Sequence, residues 1–273
     1  VFSEKEIKAL LIDWLFDKGM INDAVIINEM VVANWSRRAD IAVANGRLYG
    51  FEIKSHFDTL KRLPGQVESF QAHFDKVVVV AATKFIASIQ RDYPSEIGIL
   101  EVYEVSGRAK IRQVRPGRIC EVKDVSKLTS LITKSELEKF LKQSGIPVRA
   151  GMLRSELVSA CGTRVSKPLR SYVLDCIKQR YNGSFRNFLS ERRACTTEAC
   201  LELLSKSATI RVNLERQFAM YSEGHHPARR AEKKIDFSIL GDGIEALGLE
   251  MPQSVLIRRK TQKSKSSKSS SSD

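Results

Sequence analysis

No apolar run in this 273-residue sequence approaches the roughly 20 residues that a membrane-spanning helix needs. From Val1 the chain moves at once into a charged, amphipathic pattern. It lacks the apolar stretch and small-residue cleavage site of a secretory leader, so residence in the cytoplasm is expected. Cysteine is scarce and unpatterned. The five residues, Cys120, Cys161, Cys176, Cys195 and Cys200, are odd in number and contain no CxxC pair, which argues against a disulfide framework or a zinc ribbon and for reduced thiols. Cys195 and Cys200 followed by His225 and His226 have the right chemistry for zinc, at a spacing that fits no common finger. No repeat of fixed period is visible.

What is present is an ordinary globular composition, 42% hydrophobic and 28% charged, in a chain long enough for two modest domains. Net charge is +13, and its placement matters more than its size. Residues 1–105 carry 12 Lys/Arg against 15 Asp/Glu, whereas residues 106–273 carry 33 against 17. A half this basic attracts polyphosphate. No strongly apolar Trp/Phe-lined helix face accompanies the charge, so a membrane surface is the poorer match. DNA is the expected partner; the sequence also leaves room for a homodimer.

Along the chain, Ser3 and Glu6 have the spacing of a capping box, and Ile7, Leu10, Leu11, Trp14 and Leu15 then recur at helical intervals until Gly19. Val25–Val32 is apolar and β-branched except at Asn28 and Glu29, as in a strand inside a sheet. Arg38–Ala44 and Arg47–Lys54 flank Asn45-Gly46, a strong hairpin signal. After Leu63-Pro64-Gly65 the pattern predicts a helix over 66–74, a buried strand over 76–82, a helix over 84–91 and strands over 97–105 and 109–114. Beyond Pro116-Gly117 it changes to short amphipathic helices near 134–144, 152–160, 168–179, 184–194 and 198–205, with less definite structure over 210–251. Arg258–Asp273 is nearly all Arg, Lys, Gln, Thr and Ser and cannot bury apolar surface. The expected organisation is α/β: a domain over 1–115 with an αβββαβ core and a mixed sheet, a mainly helical basic domain over 116–257 that binds DNA, and a disordered tail over 258–273.

The chemistry concentrates in Arg38-Ala39-Asp40 and Gly50-Phe51-Glu52-Ile53-Lys54. A charged hairpin taken alone is as readily a solvent-facing surface. Here Glu52 and Lys54, two apart, project from one face while Phe51 and Ile53 take the other, and helices on both sides of a sheet would cover that charged face. Covered charges must be paired or bind a metal. Carboxylates that hold Mg²⁺ beside a lysine are what phosphodiester hydrolysis requires. Glu29, inside an apolar strand, needs a partner, and Arg38 is the obvious one. His56 and His73 read as loop and helix-surface residues.

This set resembles the D…(D/E)xK signature of the PD-(D/E)XK nuclease superfamily, whose core has the αβββαβ order. More closely, the run from Arg38 to Ser55, with Asp58-Thr59-Leu60 and Arg62-Leu63-Pro64-Gly65-Gln66, looks like a bacterial family of small predicted nucleases of that superfamily; the likeness covers about the first 105 residues. Ala39 stands where the superfamily motif has Pro. The resemblance implies a restriction-endonuclease-like core and a metal-dependent deoxyribonuclease serving DNA repair or defence against foreign DNA. Asp40, Glu52 and the Ile53 carbonyl would hold Mg²⁺ or Mn²⁺, with Glu6 as a further acidic neighbour. Lys54 would be the catalytic lysine. Gln66 would join the active site, followed by Phe70 where related proteins have Tyr. The rival readings are a non-catalytic DNA-binding protein on the same scaffold and an effector acting on RNA. A shared site carries a geometric demand. A two-residue Asn45-Gly46 loop would put Asp40 and Glu52 on opposite faces, so an odd-length loop, or a bulge near Gly50, is expected.

Overall fold

The computed structural model describes residues 1–32, 37–162 and 166–205, together with the strand pair 232–233 and 255–256. Its first helix, α1 (Glu4–Asp17), begins where the capping box places it: Ser3 accepts from the Glu6 amide, and the Glu6 carboxylate accepts from the Ser3 N–H at 2.7 Å. Ile7, Leu11, Ile12 and Leu15 of α1 are buried.

Six strands follow: β1 (Val25–Val32), β2 (Arg37–Ala44), β3 (Leu48–Lys54), β4 (Lys76–Ala82), β5 (Gly98–Val105) and β6 (Arg108–Arg115). They lie side by side in chain order. The β1–β2, β2–β3 and β5–β6 pairs are antiparallel, and β3–β4 and β4–β5 are parallel. Parallel neighbours need a crossover, and these are supplied by α2 (Leu63–Gln71) and α3 (Thr83–Asp92). The mixed α/β sheet expected from the sequence is therefore present. The Leu63-Pro64-Gly65 break proves to be the first turn of α2, where proline's fixed φ and missing N–H are tolerated. All seven residues of β3 are buried. Gly50 in that strand has no room for a side chain, because a Cβ there would lie 2.8 Å from the Phe74 ring.

The β2–β3 connection meets the parity demand. Ala44 pairs with Leu48 and Ile41 with Phe51, so the loop has three residues, Asn45, Gly46 and Arg47. Gly46 takes φ +90°, a conformation that glycine adopts freely.

Between β6 and residue 205 the described elements are helical: α4 (Val125–Ser130), α5 (Lys134–Gln143), α6 (Arg154–Cys161), α7 (Ser166–Glu191), α8 (Thr197–Cys200) and a 3₁₀ turn over Leu201–Leu204. The short α4, unforeseen in the sequence, starts at Asp124, whose carboxylate accepts from the Ser126 and Lys127 amides. Where the pattern predicted two helices, 168–179 and 184–194, there is one continuous α7. A mid-helix glycine costs about 1 kcal/mol relative to alanine. Burial of Tyr181, Phe185 and Phe188 on the same stripe as Val173 and Ile177 outweighs it, at about 1.5–3 kcal/mol for each large apolar side chain. The described residues of α7 pack on β1 and β2, and α8 packs on α1. All these elements lie in one compact unit, Val1–Val212. A second, Asn213–Asp273, contains the antiparallel pair β7 (Glu232–Lys233) and β8 (Val255–Leu256). The expectations for 210–251, His225, His226 and the tail otherwise fall outside the described residues.

Asp75, between α2 and β4, ties the halves together. Its buried carboxylate accepts from the Leu48 amide at 2.8 Å, the Val122 amide at 3.1 Å and the Arg170 guanidinium at 2.7 Å. Its carbonyl accepts from the Cys120 amide. His73, expected on the surface, is buried beside it and bonds the Ser69 carbonyl through Nδ1 at 2.7 Å. Asp75→Ala should destabilise the protein by about 3–5 kcal/mol, the range for breaking a buried ion pair from one side. Arg170→Met, which leaves Asp75 its two amide donors, should cost less. Urea unfolding of both variants checks the ranking, and equal losses would contradict it.

Candidate functional site

Strand alternation and the three-residue loop bring Asp40 of β2 and Glu52 of β3 opposite each other on one face of the sheet. Asp40 Oδ2 accepts from the Ile53 N–H at 2.7 Å. Lys54 lies on the same face as Glu52 and donates to Glu52 Oε1 at 2.6 Å. It also donates to Gln66 Oε1, one turn into α2, at 3.1 Å. Glu52 and Lys54 are 2% and 3% exposed, so this pair is sealed from bulk water. Four of the residues singled out from sequence, Asp40, Glu52, Lys54 and Gln66, are thus one hydrogen-bonded neighbourhood. Ile53 joins it through its backbone, and its side chain is buried. Glu6 is engaged in the exposed capping box of α1, and Phe70 packs into the core against Phe74.

A second layer of charge surrounds these groups. Lys8, buried on the apolar stripe of α1, reaches Glu4 at 2.8 Å and Glu29 at 3.5 Å. Arg38 meets the other Glu29 oxygen at 3.1 Å, the pairing expected for that residue. Glu29 itself has φ +60°, a left-handed conformation that costs an ordinary residue of order 1–3 kcal/mol. The β1–β2 register is unbroken on either side of it, at Asn28–Ile41 and Met30–Ala39. Glu29 lies across from Asp40 in that register. The spacing of Glu4 and Lys8, four apart on a helix, was a readable signal for this layer, as was a lysine at an apolar-stripe position. Nothing in the sequence announces the Glu29 backbone.

The electrostatics follow from counting. Glu4, Glu29, Asp40 and Glu52 face Lys8, Arg38 and Lys54, four carboxylates against three cations. One proton balances the set. Burial, and then the charge of Glu52, push the Asp40 carboxyl up to about 7 against the hydrogen bond from Ile53. Burial also raises Glu52, although Lys54 opposes it. Burial works against the Lys8 charge, but the bond to Glu4 and the fields of Asp40, Glu4 and Glu29 outweigh it and raise its pKa. The centre can therefore hold a proton near neutrality or accept a cation. Glu52 Oε2 is buried without a hydrogen-bond partner, an acceptor suited to the latter. No three His, Cys, Asp or Glu side chains converge in metal-binding geometry among the described residues. The five cysteines are free thiols.

The family comes from comparison with known proteins. The family model described as Bacteriophage P4 protein cII matches residues 1–205. The chain is 42% identical over 188 residues to "Protein cII" of Enterobacteria phage P4, a match covering 68% of this chain and 71% of that protein. The chain belongs to the bacteriophage P4 cII protein family. This corrects the resemblance to PD-(D/E)XK nucleases and the small predicted nucleases near them. The matched region contains every residue on which that likeness rested, and it is assigned to the P4 cII family. The inferred metal-dependent deoxyribonuclease activity, with its role in repair or defence, falls with it. An acidic-basic triplet on adjacent strands satisfies a short motif and still answers the demands of burial alone, as the Lys54–Glu52 pair does at 2.6 Å. No described helix in this P4 cII relative is long and apolar enough to cross a membrane.

The raised Asp40 pKa has a definite sign for stability. Between an unfolded value of about 4 and the native value of about 7, the folded state keeps a proton that the unfolded chain releases. Stability is therefore lost as pH rises through that window. Asp40→Asn cannot ionise and can still accept from Ile53. In chelator at pH 8 it should melt at a higher temperature than the parent, with the gap closing toward pH 5. Thermal denaturation at the two pH values checks this, and a lower melting temperature for the variant at pH 8 contradicts it.

Proposed function

We propose that this P4 cII family protein binds DNA through phosphate contacts made by its basic half, about residues 116–257, with the Lys/Ser-rich tail over 258–273 adding to them. The observation that carries the reading is the charge imbalance of residues 116–205, 16 Lys/Arg against 9 Asp/Glu, and the engagement of three of those acids. Asp124 caps α4. Glu136 caps α5 and pairs with Arg180 at 2.6 Å. Glu156 accepts from the Leu153 amide. By contrast, the side chains of Lys139, Lys142, Arg186 and Arg193 are exposed and unpaired among the described residues. Such a field attracts a polyanion and positions it without reading its sequence.

We infer further that Mg²⁺ or Mn²⁺ associates with Asp40, Glu52 and the Ile53 carbonyl. Magnesium keeps several waters and needs only one or two protein carboxylates, and the orphaned Glu52 Oε2 supports the assignment. When bound, the cation supplies the positive charge that the four carboxylates otherwise take from a proton. Excess Mg²⁺ at pH 8 should raise the melting temperature of the parent and leave Asp40→Asn unmoved; an equal shift in both would refute this site.

The DNA reading is tested by fluorescence anisotropy on a labelled duplex across a salt series. Each neutralised phosphate contributes about −0.9 to the slope of log affinity against log salt. Replacing both Lys139 and Lys142, three apart on α5, by Glu should make that slope shallower by roughly two. A parent protein whose affinity ignores salt, or a variant with an unchanged slope, contradicts the proposal.

A further inference from the structure

We propose that Phe57 stacks on an unpaired base of single-stranded DNA, an inference that rests on the DNA-binding reading and specifies one of its contacts. Phe57 is 76% exposed, three residues beyond the buried Lys54. Its position is fixed by a tight polar turn. Asp58 Oδ2 accepts from the Ser55 N–H at 2.8 Å and from the Ser55 hydroxyl at 2.6 Å. The Ser55 hydroxyl oxygen accepts in turn from the Phe57 N–H at 3.3 Å, and the Asp58 N–H donates to the Ser55 carbonyl at 3.2 Å. Lys84 of α3 donates to the His56 carbonyl and ties the turn to the sheet side of the molecule. The ring meets the His56 ring at nearly a right angle, with centroids 6.1 Å apart. A large aromatic held out by a hydrogen-bonded turn is rigidly presented, so little conformational freedom is lost when a partner covers it.

The surroundings select the partner. Residues 1–105 carry a net negative charge, yet the residues just after this turn, Lys61 and Arg62, are basic. Lys61 and Arg62 are exposed and unpaired among the described residues. The Arg37 guanidinium lies against Gly65 at the start of α2, 3.1 Å from where a Cβ would be. The one acid of the turn, Asp58, has its carboxylate occupied by Ser55. An exposed aromatic followed within five residues by two exposed cations matches the alternation of base and phosphate along a single strand, where a π-face takes any base and basic groups follow the backbone. Along a duplex the base faces are already stacked on one another and offer no free face.

Anisotropy with a labelled oligothymidylate and with a duplex of the same length tests the proposal. Phe57→Ala should lose about tenfold or more in affinity for the single strand, change little on the duplex, and keep the parent's salt slope, since no charge is removed. Phe57→Trp should retain affinity, with its indole fluorescence altered by the bound strand. Melting temperatures equal to the parent's establish that both variants are folded, as expected for an exposed position. If the parent binds DNA in a salt-dependent way and Phe57→Ala binds the single strand equally well, stacking is refuted while the DNA-binding reading stands. An equal loss on duplex and single strand refutes the unpaired-base assignment. A parent that binds neither DNA form overturns both.

Discussion

The charged centre depends on one constraint, the period of two along a β-strand. Asp40 and Glu52 share a face because the loop joining their strands has three residues; one residue fewer would send one carboxylate to the opposite layer. Gly46, at φ +90°, lets that loop close. Gly50 leaves room for the Phe74 ring against β3. Loop length thus decides whether two acids are independent surface groups or coupled members of a buried set.

Once they share a buried face, the rest of the centre follows from the cost of covering charge. A carboxylate taken out of water must be neutralised, bonded or protonated. The fold uses all three. Glu52 receives Lys54, Asp40 receives the Ile53 amide and favours its protonated form, and Lys8 with Arg38 attends Glu29. The left-handed backbone at Glu29 sits where this competition is tightest, directly across from Asp40. Strain of this kind persists only when surrounding contacts over-determine it, and here the salt bridges to Lys8 and Arg38 hold the side chain in place.

Much of this was legible in the sequence because its causes are local. The Ser3–Glu6 capping box, the valine-rich β4 and the Asn45-Gly46 hairpin each follow from short-range chemistry, and the four polar residues Asp40, Glu52, Lys54 and Gln66 do meet. What was not legible depends on partners distant in the chain. His73 looks like a helix-surface residue until Asp75 draws the helical half over it through Arg170, 95 residues later. Gly183 looks like a helix break until Phe185 and Phe188 find an apolar surface. The misassigned activity has a different origin. Two acids and a lysine on adjacent strands are what a hydrolytic metal site needs and also what a self-neutralising buried cluster needs, so the motif alone could not tell them apart. Family membership, extending across 205 residues, drew on far more positions than that motif.

Self-neutralisation in the first half and excess charge in the second belong to one electrostatic arrangement. Where acids are buried with matching cations they project little field. Where they serve as helix caps, as Asp124 and Glu136 do, their charge is answered by backbone dipoles and by Arg180. Among the described residues of these helices the exposed lysines and arginines outnumber the exposed acids. The turn from Ser55 to Asp58 repeats this arrangement on a small scale within the acidic half. Asp58 turns inward onto Ser55, and the outward elements are Phe57 and the neighbouring Lys61 and Arg62. Between Lys54 and Phe57 the chain passes from one of its most buried charges to the most exposed aromatic ring among the described residues. The hydrogen bonds that stop β3 at Lys54 also hold that ring clear of the core, so the terminus of one strand positions both a closed charge cluster and an open contact surface.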